Sequence, residues 1–371
     1  MQEFLTAYVN LLETTSGAGT LMFPYLFKVY GIFNFILITI IFCVLVYFGL
    51  FFLICCAEEY EDADYNILIN KIIKNSSYFL DFFIFAKCLG VSISYLVISQ
   101  EILIYLLTDI FYIPDYLLLL IFILLLFPLC YSKNISQLKY TSFISTITTL
   151  LTSLLIDFIF NERGFSNNLI YYKFPEYSWL SNISSLVFAF SCHVNFFAIR
   201  NEVSQNRKYV MTYSSALSLF TASLTSLKFG LICYLIFGEE SSKNIFENFP
   251  KDMTSRLLKL LYFISITLTF PLQIHPCKKY FMSFLRIKQA KNINFIITAV
   301  ILVVCYGITI LKIKLDMIFK LIGSTSSTLL MLILPSIYYL FLINDSTILY
   351  AFANINICVG IFIFVFTIFG L

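Results

Sequence analysis

Four polar side chains interrupt an otherwise apolar run in the middle of the chain. Ser191, Cys192, His193 and Asn195 stand between stretches of Leu, Val, Phe and Ala, and His193 is one of only two histidines. Polar side chains at membrane depth are costly unless they face a cavity, a partner or a substrate. A lone buried histidine is usually a packing residue, but Ser191 and Asn195 are four apart, on one helix face. The spacing therefore favours a polar stripe that faces inward.

Small residues break the first apolar run of the chain in a similar way. The segment 16–19 reads Ser-Gly-Ala-Gly and is flanked by Thr15 and Thr20. Such a segment can stay unwound, so that free N–H groups face an anion and free carbonyls face a cation, and an amino acid carries both charges. The alternative is a close helix contact, which small residues also permit. Two interrupted runs at corresponding places in two halves of a chain indicate the binding site of a secondary transporter.

Groups near these breaks suggest a site for a coupling ion. Glu13 precedes the first break, and an unpaired acid at the bilayer centre costs about 2.5–3.5 kcal/mol. Glu13 could carry a proton, bind a cation, or lie in a vestibule beside a lysine or water.

In the eighth run, the hydroxyls of Ser265 and Thr269 stand one turn apart beside two prolines. The prolines free upstream carbonyls, and carbonyl and hydroxyl oxygens together suit Na⁺. The alternative there is a kinked helix whose threonines bond back to the i−4 carbonyl.

Eleven apolar runs supply the elements that hold these residues. The chain of 371 residues is 60% hydrophobic and 12% charged, whereas soluble domains carry about 25% charged residues. The runs are continuous rather than alternating, which predicts an all-α integral membrane protein of eleven transmembrane helices and not a β-barrel. They are roughly 4–27, 31–56, 78–107, 114–131, 139–160, 180–199, 210–237, 256–277, 292–311, 317–341 and 347–370.

The runs form one transmembrane domain, 1–371, in two halves. Runs one to five (about 4–160) and six to ten (about 180–341) are odd in number, so the second half enters from the opposite side as an inverted repeat. Run eleven (about 347–370) is an addition. Lys and Arg are densest between Lys278 and Lys291, which predicts a cytosolic N-terminus. The first run has no basic start or cleavage site and is expected to be retained.

Five motifs occur in an order that resembles the amino acid/auxin permease family of the amino acid–polyamine–organocation superfamily. They begin at Gly17 (GAGTLMFPY), Gly90 (GVSISY), Phe190 (FSCHVN), Phe270 (FPLQIHP) and Gly323 (GST), and they cover nearly the whole chain. The chain looks most like vacuolar amino acid transporters and sodium-coupled neutral amino acid transporters.

The resemblance implies a LeuT-like fold of eleven helices, with an inverted five-helix repeat and a substrate held by the broken parts of helices one and six. It implies that the amino acid site is lined by Thr15, Ser16, Gly17, Ala18, Gly19, Thr20, Ser191, Cys192, His193 and Asn195. Thr269 matches the place of a hydroxyl ligand in sodium-coupled members, but their helix-one asparagine corresponds to Glu13. That departure favours coupling to H⁺ over Na⁺.

The sequence thus predicts a secondary active amino acid transporter that works by alternating access. A non-transporting amino acid sensor of the same fold is the alternative. An enzyme is not expected, because no paired catalytic cluster lies within the runs. The expected partners are an amino acid and the lipid bilayer, without nucleic acid and without a cofactor beyond H⁺ or Na⁺ as the coupling ion. The membrane is expected to be vacuolar, lysosomal or plasma.

Overall fold

The apolar runs become helices because lipid offers no hydrogen-bond partner to an open backbone. The computed structural model describes residues 2–60, 62–108, 113–131, 139–204, 206–287, 290–343 and 345–369. Its α-helices, in chain order, are α1 (Gln2–Thr15), α2 (Phe23–Tyr30), α3 (Ile32–Glu59), α4 (Tyr65–Ile72), α5 (Ser77–Leu107), α6 (Asp115–Tyr131), α7 (Lys139–Arg163), α8 (Tyr177–Ala189), α9 (Phe196–Arg200), α10 (Arg207–Phe237), α11 (Met253–Phe284), α12 (Lys291–Ile310), α13 (Leu315–Ile322), α14 (Leu334–Leu342) and α15 (Thr347–Phe369).

Nine helical stretches of the described residues are long and apolar enough to cross a membrane. They contain α3, α5, α7, α8 with α9, α10, α11, α12, α13 with α14, and α15. The two other predicted runs have a different form. Run 4–27 is divided among α1, a 3-10 turn and α2, and run 114–131 forms α6, which has 17 residues. The chain is an all-helical, multi-pass membrane protein.

The first and sixth runs are broken at the predicted places. α1 ends at Thr15, and a 3-10 turn over Ala18–Met22 leads into α2. α8 ends at Ala189, and a 3-10 turn over His193–Asn195 leads into α9. Each break therefore leaves the C-terminus of one helix inside the bundle, with carbonyls that the helix itself does not satisfy.

The eighth and tenth runs stay helical through their unusual segments. α11 is continuous although Pro271 and Pro276 lie inside it. Between α13 and α14 the helix widens into π-helical turns, of which the first covers Gly323–Ser327. A Cβ atom on Gly323 would lie 1.9 Å from the carbonyl oxygen of Ser184 in α8. The small residues of the tenth run thus allow its backbone to pack directly on the sixth run.

The short helix α4 follows an acidic loop and was not predicted from the sequence. Asp64 caps α4 by accepting a hydrogen bond from the Tyr65 N–H at 2.7 Å, and it also pairs with Lys279 of α11 at 2.6 Å. The buried Tyr65 side chain donates to the carbonyl of His193 at 2.9 Å. α4 is therefore tied to the second break.

Long helices surround the first break. α11 packs along α5 and α7, and α1 packs against α10 and α7. The 3-10 turn of the first break contacts α5, α8 and α10. Polar groups from α5, α7, α10 and α11 are therefore within reach of the break.

Candidate substrate and ion site

The two helix breaks contact each other. A Cβ atom on Gly19 would lie 2.5 Å from the Cα atom of Ala189, the last residue of α8. The hydroxyl of Thr15, which donates to the carbonyl of Leu11 at 2.7 Å, also lies near the thiol of Cys192. Contact this close between two backbones is possible only because residue 19 has no side chain. The structure thus joins two segments that are far apart in the sequence.

Two tyrosine side chains from neighbouring helices contact the first break. A Cβ atom on Gly17 would lie 2.7 Å from the hydroxyl of Tyr95 in α5. The hydroxyl of Tyr262 in α11 donates to the carbonyl of Gly17 at 3.4 Å. Both side chains are buried. The first break therefore presents backbone and two phenolic hydroxyls to one small space.

That space is a cavity of about 30 Å³, and most of the residues that line it carry a hydroxyl group. It is lined by Ser16, Thr20, Tyr95, Thr149, Thr152, Ser153, Thr225, Ser226, Phe229, Tyr262, Ser265, Ile266 and Thr269. A water molecule needs about 10–15 Å³ of such space, so the cavity has room for about two. An amino acid needs more room, and its entry requires the surrounding helices or side chains to move.

Glu13 lies beside this cavity in a shell of hydroxyl donors. Its carboxyl is buried and accepts hydrogen bonds from Ser145, from Thr146 at 2.8 Å and from Thr269 at 3.0 Å. Ser145 and Thr146 belong to α7, whereas Thr269 belongs to α11. Within the described part of the chain, no basic side chain contacts Glu13. The sequence places Glu13 near this site, but it does not identify the serine and threonine from α7.

The hydroxyls around Glu13 can serve either protonation state of its carboxyl. Thr269 Oγ1 is 3.0 Å from Glu13 Oε2 and 2.9 Å from the carbonyl of Ser265, but its single proton can go to only one of them. Ser145 faces the same choice, because its Oγ also lies 3.1 Å from the Ser265 carbonyl. A charged carboxylate takes the protons of Ser145 and Thr269, whereas a protonated carboxyl donates to one of these two hydroxyls, which can turn its own proton to the Ser265 carbonyl. The site can therefore accommodate the gain or loss of a proton by rotating hydroxyls.

The polar residues of the second break have separate environments. The Ser191 hydroxyl donates to the carbonyl of Phe188 at 2.9 Å. The His193 ring faces α3, beside Val46 and Gly49, and does not line the hydroxyl cavity. Asn195 is buried, and neither atom of its amide has a hydrogen-bond partner in the described part of the chain. Of the predicted substrate-binding residues, only Ser16 and Thr20 line the cavity directly.

Of the other charged groups of the spans, Lys87 of α5 lies close enough to Cys192 and His193 of the second break for its charge to act on both. Lys87 is buried, and it pairs neither with Asp81, which binds Asn66 and Ser283, nor with Glu101, which binds Asn244. A second cavity, of about 460 Å³, lies where α5 ends and α6 begins, and it contains none of the predicted binding residues. Within the described ranges, no group of three or more His, Cys, Asp or Glu side chains is arranged to hold a metal ion.

Comparison with known proteins identifies the family of the chain. Residues 2–371 match the family model described as transmembrane amino acid transporter protein. The chain is 28% identical over 357 residues to vacuolar amino acid transporter 5 of Schizosaccharomyces pombe, covering 91% of this chain and 84% of that one. It is 29% identical over 171 residues to human sodium-coupled neutral amino acid transporter 4, covering 44% of this chain and 31% of the relative.

A solved structure shares the fold. The crystal structure of MhsT in complex with L-phenylalanine aligns with a TM-score of 0.62 over 98% of both chains, at 13% sequence identity. At that identity the likeness concerns the fold alone, which is LeuT-like as the sequence motifs imply. The family match extends over the whole chain, and its members are transporters and not enzymes. The chain belongs to the transmembrane amino acid transporter family.

Proposed function

We propose that this protein is a secondary active amino acid transporter that works by alternating access and is driven by protons. The observation that carries the proposal is the contact between the two breaks at Gly19 and Ala189, beside a buried carboxyl whose partners among the described residues are all hydroxyls. The breaks provide a place for a zwitterion, and Glu13 provides a group that can hold a proton. In the proposed architecture, all eleven runs cross the membrane as an inverted five-helix repeat plus α15.

The polarity of the breaks suits the two charges of an amino acid. α1 and α8 both end at the site, so their C-termini direct carbonyls and negative dipole ends towards it. The chain then re-enters a helix through Ala18–Met22 and α2, whose first N–H groups favour an anion. We therefore place the substrate's ammonium group near Thr15 and Ala189 and its carboxylate near the N–H groups of Ala18 and Gly19.

Coupling to a proton fits Glu13 better than coupling to Na⁺. Three hydroxyls already donate to or face the carboxyl, and rotation of these hydroxyls accommodates the gain and loss of a proton. A Na⁺ ion bound to the carboxylate would have to compete with the protons of Ser145, Thr146 and Thr269 for the carboxylate lone pairs. We further propose a vacuolar membrane, as the name of the fission yeast relative suggests, and a cytosolic N-terminus.

Uptake into liposomes tests the proposal. The purified protein would be reconstituted and given a radiolabelled mixture of amino acids under an imposed pH gradient or, separately, an imposed Na⁺ gradient. We expect accumulation with the pH gradient and none with the Na⁺ gradient alone. Accumulation with Na⁺ alone would refute proton coupling. Folded protein without uptake under either gradient would favour the amino acid sensor.

Thr269→Val tests whether the Thr269 hydroxyl has only a structural role or is an essential ligand of the coupling ion. The variant removes one donor to Glu13, but Ser145 and Thr146 remain, so proton-driven uptake should persist at a reduced rate. A hydrogen bond to a charged group contributes about 1.5–3 kcal/mol, so the melting temperature in detergent should fall. Thr267→Val is the matched control on the same helix, because the buried Thr267 hydroxyl has no partner in the described part of the chain. Complete loss of uptake in Thr269→Val alone would show that the hydroxyl is an obligatory ligand.

A further inference from the structure

An ion pair joins two of the apolar helices long enough to cross a membrane, α7 and α10, and its two side chains are 38% and 40% exposed. Lys228 Nζ lies 2.5 Å from Asp157 Oδ2, and it also donates to the carbonyl of Ser153 at 3.3 Å. Asp157 is six residues before Arg163, the last residue of α7, which places it about 9 Å from that helix end. Charged groups within a transmembrane span are rare, and they often mark a pathway for ions or protons. The amino acid site formed by the two breaks does not use this pair.

The ion pair lies next to the hydroxyl cavity. Ser153, whose carbonyl accepts from Lys228, lines the cavity, and so does Thr225, one turn before Lys228 on α10. On α7, residues spaced by four share one face of the helix. Ser145, Thr149, Ser153 and Asp157 follow that spacing and therefore form a single stripe. The stripe leads from the Glu13 carboxyl, which Ser145 contacts, to the ion pair.

Hydroxyl groups connect the cavity to Glu13 without a gap. Thr149 Oγ1 on the cavity wall is 2.9 Å from Ser265 Oγ, and Ser265 Oγ is 3.0 Å from Ser145 Oγ. Ser145 in turn donates to Glu13. Each hydroxyl both donates and accepts, so a chain of them can pass a proton by rotating in sequence. The cavity between Ser153 and Thr149 has room for about two water molecules to complete the chain.

We propose that the Asp157–Lys228 pair is the outer gate of a proton route to Glu13. The route runs along the stripe on α7, between α10 and α11, and is separate from the passage of the amino acid through the two breaks. This inference rests on the proposed function, since it assigns the route by which the coupling proton reaches Glu13 from the non-cytosolic side.

The gate would work by exchange of a single proton. A proton from the outer water binds the Asp157 carboxylate, which frees the Lys228 ammonium to remain on the Ser153 carbonyl. The proton then moves through the cavity to Thr149, Ser265 and Ser145, and a proton arrives on Glu13. Asp157 is again charged and recaptures Lys228, which prevents a second proton from entering at once. The other titratable groups on the cavity wall are Tyr95 of α5 and Tyr262 of α11.

Asp157→Asn tests the gate by comparing two modes of transport in liposomes. Accumulation of a radiolabelled amino acid mixture under a pH gradient needs net proton entry, whereas exchange of labelled for unlabelled amino acids at equal pH does not. We expect Asp157→Asn to slow gradient-driven uptake by about tenfold or more, the scale on which one proton-transfer group acts. Exchange should remain close to that of the unmodified protein. The double variant Asp157→Asn, Lys228→Met leaves no unpaired charge and should show the same separation if the single variant folds poorly.

The control is the other ion pair of α7. Arg163 Nη2 lies 2.5 Å from Asp252 Oδ2, outside the cavity wall, and Arg163→Met should change neither mode of transport. If uptake and exchange fall together in the Asp157 variants, or if neither changes, the pair only holds α7 against α10 and the proposed route is refuted. If the unmodified protein shows no proton-driven uptake, the proposed coupling fails and the route fails with it.

Discussion

Gly19→Val is expected to reduce amino acid uptake to the level of empty liposomes. A Cβ atom at position 19 would lie 2.5 Å from Ala189 Cα, which is backbone and cannot swing aside. Overpacking of this kind costs about 1–3 kcal/mol and would be relieved by separating the two breaks. The substrate's charged groups would then no longer meet both breaks at once. The measurement is the initial rate of uptake per folded protein, with folding checked by size-exclusion chromatography.

Two further glycine variants make this result interpretable. Gly307→Ala is the control: apart from α12 itself, the described residues place no atom within 4 Å of the added Cβ, so uptake should be unchanged, and α12 should gain about 0.5–1 kcal/mol of helix stability. Gly17→Val is the milder test, since the three atoms nearest to the added Cβ all belong to the side chain of Tyr95 and not to backbone. We expect Gly17→Val to fold and to lose uptake. Near-normal uptake by both folded variants, at 17 and at 19, would contradict a binding site built from the breaks.

Glu13→Gln is expected to abolish accumulation driven by a pH gradient and to flatten the dependence of uptake on pH. The amide keeps the size of the side chain, but it cannot take up or release a proton in this range. Its NH₂ group also has to donate into a site where Ser145, Thr146 and Thr269 already supply donors. The hydroxyls can turn to accept, so the variant should fold. The measurement is the initial rate of uptake over a series of external pH values.

The conservative variant Glu13→Asp separates the loss of the proton from the loss of the side chain. The shorter side chain keeps a titratable carboxyl but moves it away from Thr269 and Ser145. We expect Glu13→Asp to retain a pH-dependent rate at a lower maximum. A pH profile in Glu13→Gln that matches the unmodified protein would remove Glu13 from the coupling role.

The breaks were predictable because their cause is local. Gly17 and Gly19 stand among hydroxyl residues in an apolar run, and the polar cluster around His193 is unusual at membrane depth, so each signal is visible within a few residues. The direction of the His193 ring was not predictable. It depends on the 3-10 turn over His193–Asn195, which aims the ring at Gly49 of α3 rather than at the cavity.

The hydroxyl groups that surround Glu13 were only partly predictable from the sequence. Thr269 and Ser265 stood out because prolines follow them, but Ser145 and Thr146 are 132 and 133 residues from Glu13 and sit among other scattered hydroxyls. Their spacing with Thr149 and Ser153 forms a stripe on one helix face, which is a signal that the sequence contains. That signal has meaning only once α7 is known to pack against α1 and α11. The helix α4 was missed for a related reason, because its cap, Asp64, looks like part of a solvated acidic loop.

Proton flux measured during amino acid transport tests most directly whether Glu13 carries the coupling proton. Liposomes that contain a trapped pH-sensitive dye and either the unmodified protein or Glu13→Gln would receive the amino acid mixture on one side, with equal starting pH. We expect the internal pH to change with the unmodified protein, in proportion to amino acid uptake, and to stay constant with Glu13→Gln. Uptake by the unmodified protein without a pH change, or an equal pH change in both proteins, would contradict the proposed role of Glu13.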